Sequence, residues 1–365
     1  MKYSVIVPVY NRPDEVDELL QSLTQQTFKD FEVVVVEDGS AVPCSQVVNK
    51  YASRLALKYF VKENSGPGQT RNYGAERSQG EFLIILDSDC VLPPSFMQAI
   101  EDELQKAPAD AWGGPDRAHD SFTPVQKAIN YSMTSFFTTG GIRGGRKQLD
   151  KKFYPRSFNM GIRASLYREL KGFSEMRFGE DIDFSLRIYK SGARCRLFPE
   201  AWVWHKRRTD LKKFFKQVHN SGIARINLMK RHPGSLKLVH MLPAVFTIGT
   251  GLCLLLALLM LLLGILGIGA LCKAPEPGCV TGPMTCISFG GLGLLVALSP
   301  LLLFSLIIFT DSAIRNHSAK VGALSVPASF IQLIGYGTGF LRAWWLRCVM
   351  GRNEELQAFK NNFYK

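Results

Sequence analysis

No C-x-x-C pair occurs among the eight cysteines, so the signature of a zinc site or of a disulfide framework is missing. Acidic residues are nearly absent from one stretch: between His205 and His240 there is one, Asp210, against ten basic residues. Charge of either sign disappears from Met241 to Cys272 and again from Met284 to Thr310. Each gap exceeds the ~20 apolar residues a helix needs to cross a hydrocarbon core. A purely soluble chain and a low-hydrophobicity disordered chain are therefore both excluded. The start also lacks a signal-peptide core, because the apolar run S-V-I-V-P-V-Y is short and only Lys2 stands before it. The N-terminal half is accordingly expected to stay cytoplasmic.

What is present is a 365-residue chain with a net charge of +13, most of it in the collar 206–240. A basic stripe is also the footprint of phosphate-backbone binding. Its position against an apolar span argues for a membrane with anionic lipids instead of nucleic acid, with juxtamembrane Lys and Arg contributing about 1 kcal/mol each. The collar carries Leu211, Phe214, Phe215 and Val218, then Ile223, Ile226, Leu228 and Met229, a spacing that predicts two short helices in the membrane interface. Val321–Leu341 is a third uncharged stretch, weakened by Pro327, Gln332, Gly335, Gly337 and Gly339. It is either a third crossing or a re-entrant or interfacial segment. The second alternative keeps Arg347, Arg352, Lys360 and Lys365 on the inner face, as the positive-inside rule prefers. Trp344 and Trp345 suit a headgroup boundary in both. Cys272 and Cys279 flank the loop after the first span and pair only if that loop is oxidised; two unpaired small residues is the plainer reading.

Residues 1 to about 205 alternate apolar strands with amphipathic segments. Strands are expected at Ser4–Val9, Phe31–Val36, Leu57–Val61 and Phe82–Leu86, and helices at Arg12–Gln25, Ser45–Ala52 and Gly68–Ser78. Continuous runs such as V-V-V-V and F-L-I-I-L fit strands buried on both faces of a parallel sheet. The fold class is thus α/β, a Rossmann-like, mostly parallel sheet followed by a helical membrane domain. Such sheets bind ligands beyond the carboxyl ends of their strands, which places the chemistry after Val9, Val36 and Leu86. Asp87-Ser88-Asp89 leaves the last of these strands. Carboxylates there suit a hard divalent cation shared with a substrate diphosphate. Glu37-Asp38-Gly39-Ser40 leaves the second strand and suits a nucleoside, with Gly39 permitting a sharp turn.

The ordered set V-I-V-P-V-Y-N-R (5–12), Q-Q-T-F-K-D-F-E-V-V-V-V-E-D-G-S (25–40), G-P-G-Q-T-R-N-Y-G-A (66–75) and G-E-F-L-I-I-L-D-S-D (80–89) resembles the family 2 glycosyltransferases of the GT-A fold. S-F-N-M-G-I-R-A-S-L-Y (157–167), K-G-F (171–173) and G-E-D-I-D-F-S-L-R (179–187) continue the match. The resemblance implies a nucleotide-sugar-binding domain over 1–205, and charge and apolar runs divide the rest into a basic juxtamembrane region 206–240, a membrane domain 241–346 and a basic tail 347–365. It implies Pro8 and Tyr10 lining the base pocket, Asp38 on the base, Arg71 on the nucleotide side and Asp87 near the ribose or donor sugar. Asp89 would be the main metal carboxylate for Mg²⁺ or Mn²⁺, Asn159 a neighbour of the sugar and diphosphate, Asp181 the catalytic base, and His205 a further metal or diphosphate contact. Glu37 stands where the family commonly has Asp.

The implied reaction is inverting transfer from a nucleoside-diphosphate sugar, with UDP as the family-level expectation for the nucleotide. A looser resemblance over 207–233 and 327–340 points to membrane glycosyltransferases of exopolysaccharide or cell-envelope assembly at the inner membrane, using a lipid-linked saccharide acceptor. A polyprenyl-phosphate acceptor is the alternative, and a non-catalytic membrane scaffold is the alternative of another class. Processive synthases carry Q-x-x-R-W, whereas Gln217 precedes V-H-N-S-G with no Trp, so a non-processive enzyme is expected. Ala111–Arg117 and Gly140–Lys152 are the expected acceptor-selecting segments.

Overall fold

The computed structural model describes residues 1–117, 121–140, 153–273 and 282–355. Its first half alternates β1 (Tyr3–Val9), α1 (Pro13–Thr24), β2 (Phe31–Asp38), α2 (Ser45–Tyr51), β3 (Leu57–Lys62), α3 (Pro67–Glu76) and β4 (Phe82–Leu86). There follow β5 (Cys90–Val91), α4 (Phe96–Lys106), β6 (Ala111–Gly113), β7 (Asp116–Arg117), α5 (Pro124–Thr134), α6 (Phe136–Thr139), β8 (Asn159–Arg163), α7 (Ala164–Glu169), α8 (Glu180–Lys190), β9 (Cys195–Leu197) and β10 (Val203–His205). The helical part is α9 (Leu211–Arg231), α10 (Leu242–Lys273), α11 (Gly282–Arg315) and α12 (Ala319–Trp344), ending in a π-helical turn at Trp345–Val349.

The main sheet has seven strands in the order β3-β2-β1-β4-β8-β6-β9. β3, β2, β1 and β4 are mutually parallel, and β8 pairs antiparallel with both β4 and β6. Alternate residues feed opposite faces: Val5, Val7, Val33, Val35 and Ile84 join one core, Ile6, Leu83 and Ile85 the other. That two-sided burial is why these strands read as unbroken apolar runs. Helix α1 adds Val16, Leu19, Leu20 and Leu23 to the first core. Because the four parallel strands share one direction, the loops after Val9, Asp38 and Leu86 meet at one edge. A second sheet, β5-β10-β7, sets His205 opposite Cys90 and so beside Asp89.

The membrane-side helices differ from expectation in two ways. The collar contains one 21-residue helix, α9, where two short ones were expected. Asp210 caps it, accepting a 2.7 Å hydrogen bond from Lys213 N, and its buried side chains face several neighbours, Phe214 and Val218 packing with Ile129 and Met133, Ile223 and Ile226 with Ala244 and Phe340. The glycines that weaken Val321–Leu341 as a span also do not break it. They form a packing seam in which a Cβ at Gly339 would lie 2.1 Å from His219 O, and one at Gly222 would lie 2.1 Å from Tyr336 O. Small residues here let the backbones of α9 and α12 approach closely, as at membrane helix interfaces.

Among the described residues, three helices are long and apolar enough to cross a membrane. Only 11% of the most apolar window is buried in each of the first two, against 50% in the α12 segment. Helix α12 also packs on α5 through Ala128, Val321 and Ala328. Its contacts with the other spans involve their near ends: Thr247 Oγ1 lies 3.4 Å from Leu333 O, Ser312 and Ser325 hydroxyls are 2.7 Å apart, and the Phe246, Phe304 and Phe330 rings cluster. Arg347, expected in the basic tail, is buried and donates to Asn227 Oδ1 at 2.7 Å. Cys279 and the Gly140–Lys152 loop beyond Gly140 lie outside the described residues. Ala111–Arg117 forms β6, β7 and their link.

Candidate active site

The loops after β1 and β2 are laced together. Asn11, at φ 52°, donates its backbone N–H to Ser40 Oγ at 2.8 Å and accepts from Val42 N at 2.9 Å. Pro8 and Tyr10 are half-buried beside this junction. Glu37 is fully internal, accepting from Ser40, Cys44 N and Tyr59 Oη. Asp38 is equally engaged: Oδ1 accepts from Lys62 Nζ at 2.7 Å and Ser65 N at 2.9 Å, and Oδ2 from Gly66 N at 2.9 Å. The residue expected to face a base therefore also fixes the loop that enters α3.

Arg71 on α3 is buried and donates to Asp87 Oδ1 at 2.8 Å and to Glu180 Oε1 at 3.1 Å, with its guanidinium over the Phe173 ring. Burial works against its charge, but Asp87 and Glu180 outweigh that and raise its pKa above the ordinary value. Glu180 behaves oppositely: burial, followed by the neighbouring Asp181 charge, pushes its pKa up to about 7 despite Arg71. The Arg71 bridge thus joins the D-S-D segment after β4 to the G-E-D segment at the start of α8. Asp181, in the first turn of that helix, accepts from Arg156 at 3.0 Å. Gly179, at φ 81°, sits against α9, where a Cβ would meet Leu228 Cδ1 at 3.2 Å and Ala224 Cβ at 3.3 Å.

Asp89 is the most elaborately held carboxylate. Oδ2 accepts from Arg12 at 3.0 Å, while Oδ1 lies 3.2 Å from His205 Nε2 yet accepts no hydrogen bond. His205 stacks on Phe158 with ring centroids 5.0 Å apart. Burial opposes the Asp89 carboxylate, but His205 and Arg12 overcome it and hold its carboxyl well below the usual range. Asp89, Cys90 and His205 place one ligand atom each within 4.8 Å of one another. Asp89 Oδ1 and His205 Nδ1 are both buried polar atoms without a hydrogen-bond partner, which fits a cation-binding set. A carboxylate with an imidazole suits a divalent ion of intermediate hardness. The Cys90 thiol, whose pKa burial raises, is a less suitable ligand and lies 3.4 Å from Phe158 O.

Asn159 pairs with Leu86 across the sheet and donates its side-chain amide to Ala201 O at 2.8 Å. It thereby steadies the segment leading to His205. Arg12, Asn11, Arg156 and Glu180 were given no role from sequence. Arg12 and Glu180 stood inside the quoted motifs, and their adjacency to Tyr10 and Asp181 was the available signal. Arg156 had none, because its pairing with Asp181 depends on how the chain leads into β8.

A mostly parallel sheet with carboxylates at the carboxyl ends of its strands, and a helix bearing a further ion-paired carboxylate, is an arrangement that the GT-A fold shares. Residues 4–171, just under half of the chain, match the model of glycosyl transferase family 2. The chain is 46% identical over 93 residues to a poly(ribitol-phosphate) beta-N-acetylglucosaminyltransferase of Staphylococcus aureus, covering 24% of this chain and 16% of that protein. It is 28% identical over 196 residues to the GalNAc(5)-diNAcBac-PP-undecaprenol beta-1,3-glucosyltransferase of Campylobacter jejuni, covering 52% of this chain and 60% of that protein. The matches thus span less than two thirds of either relative. A mannosyltransferase from Pyrobaculum calidifontis, solved with GDP-Man and Mn²⁺, shares the fold at TM-score 0.53 and 15% identity, covering 95% of this chain and 88% of that one.

Proposed function

We propose that the protein is a membrane-bound, inverting, non-processive glycosyltransferase that moves a sugar from a nucleoside-diphosphate sugar to a lipid-linked saccharide. The observation that carries this reading is the Arg71 bridge, which puts Asp87 and the Glu180-Asp181 pair on one cleft. Asp38 and Tyr10 would bound the nucleoside end, with uridine as the preferred base, and Asp87 the sugar end. Asp89 and His205 would hold Mg²⁺ or Mn²⁺, which when bound supplies positive charge for the departing diphosphate. Asp181 would take the acceptor hydroxyl proton, and Arg156 orients it for that work. The lipid-linked acceptor is favoured by the apolar hairpin α10–α11 and by the printed substrate of the Campylobacter relative.

The domain would sit on the cytoplasmic face of the inner membrane. Two crossings, α10 and α11, with α12 lying at the boundary beneath α9 and α5, account for the greater burial of α12. The collar would then face anionic lipid through exposed residues such as Lys212, Lys213 and Lys230, while Arg207 is withdrawn into pairs with Asp116 and Asn130. An Asp181→Asn variant tests the acceptor class. Transfer to a sugar hydroxyl should collapse with donor binding intact; undiminished transfer would favour an acceptor phosphate that needs no base.

A further inference from the structure

The H-P dipeptide that closes α9 carries His232, which is buried against an equally buried Asp183, with Nε2 2.8 Å from Asp183 Oδ1. On the other side of the ring Nδ1 lies 3.0 Å from Lys190 Nζ. Lysine offers donors only, so Nδ1 accepts, and the ring proton stands on Nε2, where it donates to Asp183. The main chain around the ring is held as well. His232 N donates to Leu228 O at 2.8 Å, and the His232 carbonyl accepts from Ser235 N at 3.1 Å.

Asp183, Arg187 and Lys190 recur at i, i+4 and i+7 along one face of α8, and His232 touches both ends of that row. Arg187 Nε donates to Asp183 Oδ2 at 2.9 Å, and its other nitrogens donate to Leu170 O at 2.6 Å and Gly172 O at 2.7 Å. Phe173, the next residue, carries the Arg71 guanidinium over its ring. Asp181 stands two positions before Asp183, about 200° away around the helix. One turn of α8 therefore offers Asp181 to Arg156 on one side and is pinned by His232 on the other. At the start of that turn Gly179 rests on Ala224 and Leu228 of α9, the helix that His232 ends. Helix α9 is seated in turn on α12 through Gly222 and Gly339.

A buried carboxylate–imidazole pair is a poor source of stability, because apolar side chains fill the same space without desolvating a charge. What apolar packing lacks is direction. A hydrogen bond with a fixed donor and acceptor sets the rotation of a helix about its axis, and rotation decides where a side chain on the far face points. We infer that His232 is a positioning residue for transfer: through Asp183 it sets the rotation of α8, and with it the direction in which Asp181 meets the acceptor. This rests on the glycosyltransferase reading and adds to it a link from the membrane-side pair α9–α12 to the reacting carboxylate.

Full-length wild type, His232→Phe and His232→Gln in nanodiscs would be compared by hydrogen exchange of the α8 amides, by calorimetric binding of UDP and GDP, and by transfer kinetics. The probe acceptor is polyprenyl-diphosphate-linked N-acetylglucosamine, with a panel of UDP- and GDP-sugars as donors. Phe keeps a ring and removes its hydrogen bonds, whereas the Gln amide can donate to Asp183 in place of Nε2. In His232→Phe, exchange over Glu180–Lys190 should quicken. Its kcat should fall about 10- to 100-fold, the scale for a misplaced catalytic group, with donor KM and nucleotide binding unchanged. His232→Gln should recover most of kcat. An unchanged kcat in His232→Phe would overturn the proposal, as would equal losses in both variants or unchanged exchange. Loss of nucleotide binding along with transfer would also overturn it, because the contact would then hold the whole domain and not one turn. Faster exchange in His232→Phe, where no protein including wild type transfers sugar, would support the hold on α8 and overturn the glycosyltransferase reading alone.

Discussion

Arg71 lies 2.8 Å from Asp87, and the same guanidinium reaches Glu180 at 3.1 Å across 109 residues of sequence. Strand β4 and helix α8 are separated by four strands' worth of chain, yet this one buried cation fixes their relative position. Removing it leaves two carboxylates facing each other with their shared counter-charge gone. Arg71→Ala should therefore destabilise the protein by roughly 3–5 kcal/mol, the usual cost of breaking a buried ion pair from one side. Denaturant titration of the detergent-solubilised chain checks this; a change within experimental scatter would show that the bridge does not hold the cleft.

Glu180 gives that cleft a pH signature. Its pKa in the folded protein is pushed up to about 7 from an ordinary 4.5, so the folded state binds more protons than the unfolded one between those values. Stability then falls as pH rises through that window. Glu180→Gln keeps the shape without titrating, and should flatten this component of the stability profile between pH 4.5 and 7. Melting temperatures of both proteins across that range are the measurement; parallel profiles would count against the assignment.

The Asp89–His205 pair makes a metal-dependence prediction. EDTA should abolish transfer, and added Mg²⁺ or Mn²⁺ should restore it. Asp89→Asn should remove Mn²⁺ binding seen by calorimetry, and His205→Ala should weaken it by about 10- to 100-fold if the imidazole is a direct ligand or orients one. Transfer that survives EDTA would remove the metal from this site.

The burial of α12 predicts where the tail lies. With two crossings, a single cysteine introduced at Asn353 in a cysteine-free background should be labelled by an impermeant maleimide from the same side as one at Lys50. Labelling from opposite sides would make α12 a third crossing. A bulky residue in the α9–α12 seam, as in Gly222→Leu, should also destabilise the helical part, because its Cβ alone would meet Tyr336 O at 2.1 Å.

The sheet was legible because two-sided burial writes itself as continuous V-V-V-V and F-L-I-I-L runs, and Phe82–Leu86 is found with the expected bounds. The residues at its carboxyl edge were legible as motifs, since chain direction alone brings Asp38 and Asp89 to one side. Helix α9 was expected as two because its apolar residues fall into two groups, 211–218 and 223–229, whereas Asn220 between them is buried and Gly222 packs on α12. Gly335 and Gly339 face α9 and Gly337 faces α10, so residues that look like weaknesses in a span are the surfaces by which α12 fits two other helices. Arg156 was invisible for a related reason: its pairing with Asp181 is a tertiary contact that local spacing does not encode.

Transfer itself tests the central claim. Purified full-length protein with Mn²⁺, a lipid-linked saccharide and a panel of UDP- and GDP-sugars should yield a glycosylated lipid and one nucleoside diphosphate per sugar transferred, with Asp181→Asn slower by about 10²- to 10⁴-fold. No transfer and no hydrolysis with any donor, by a protein that remains folded, would contradict the account and favour a non-catalytic membrane scaffold.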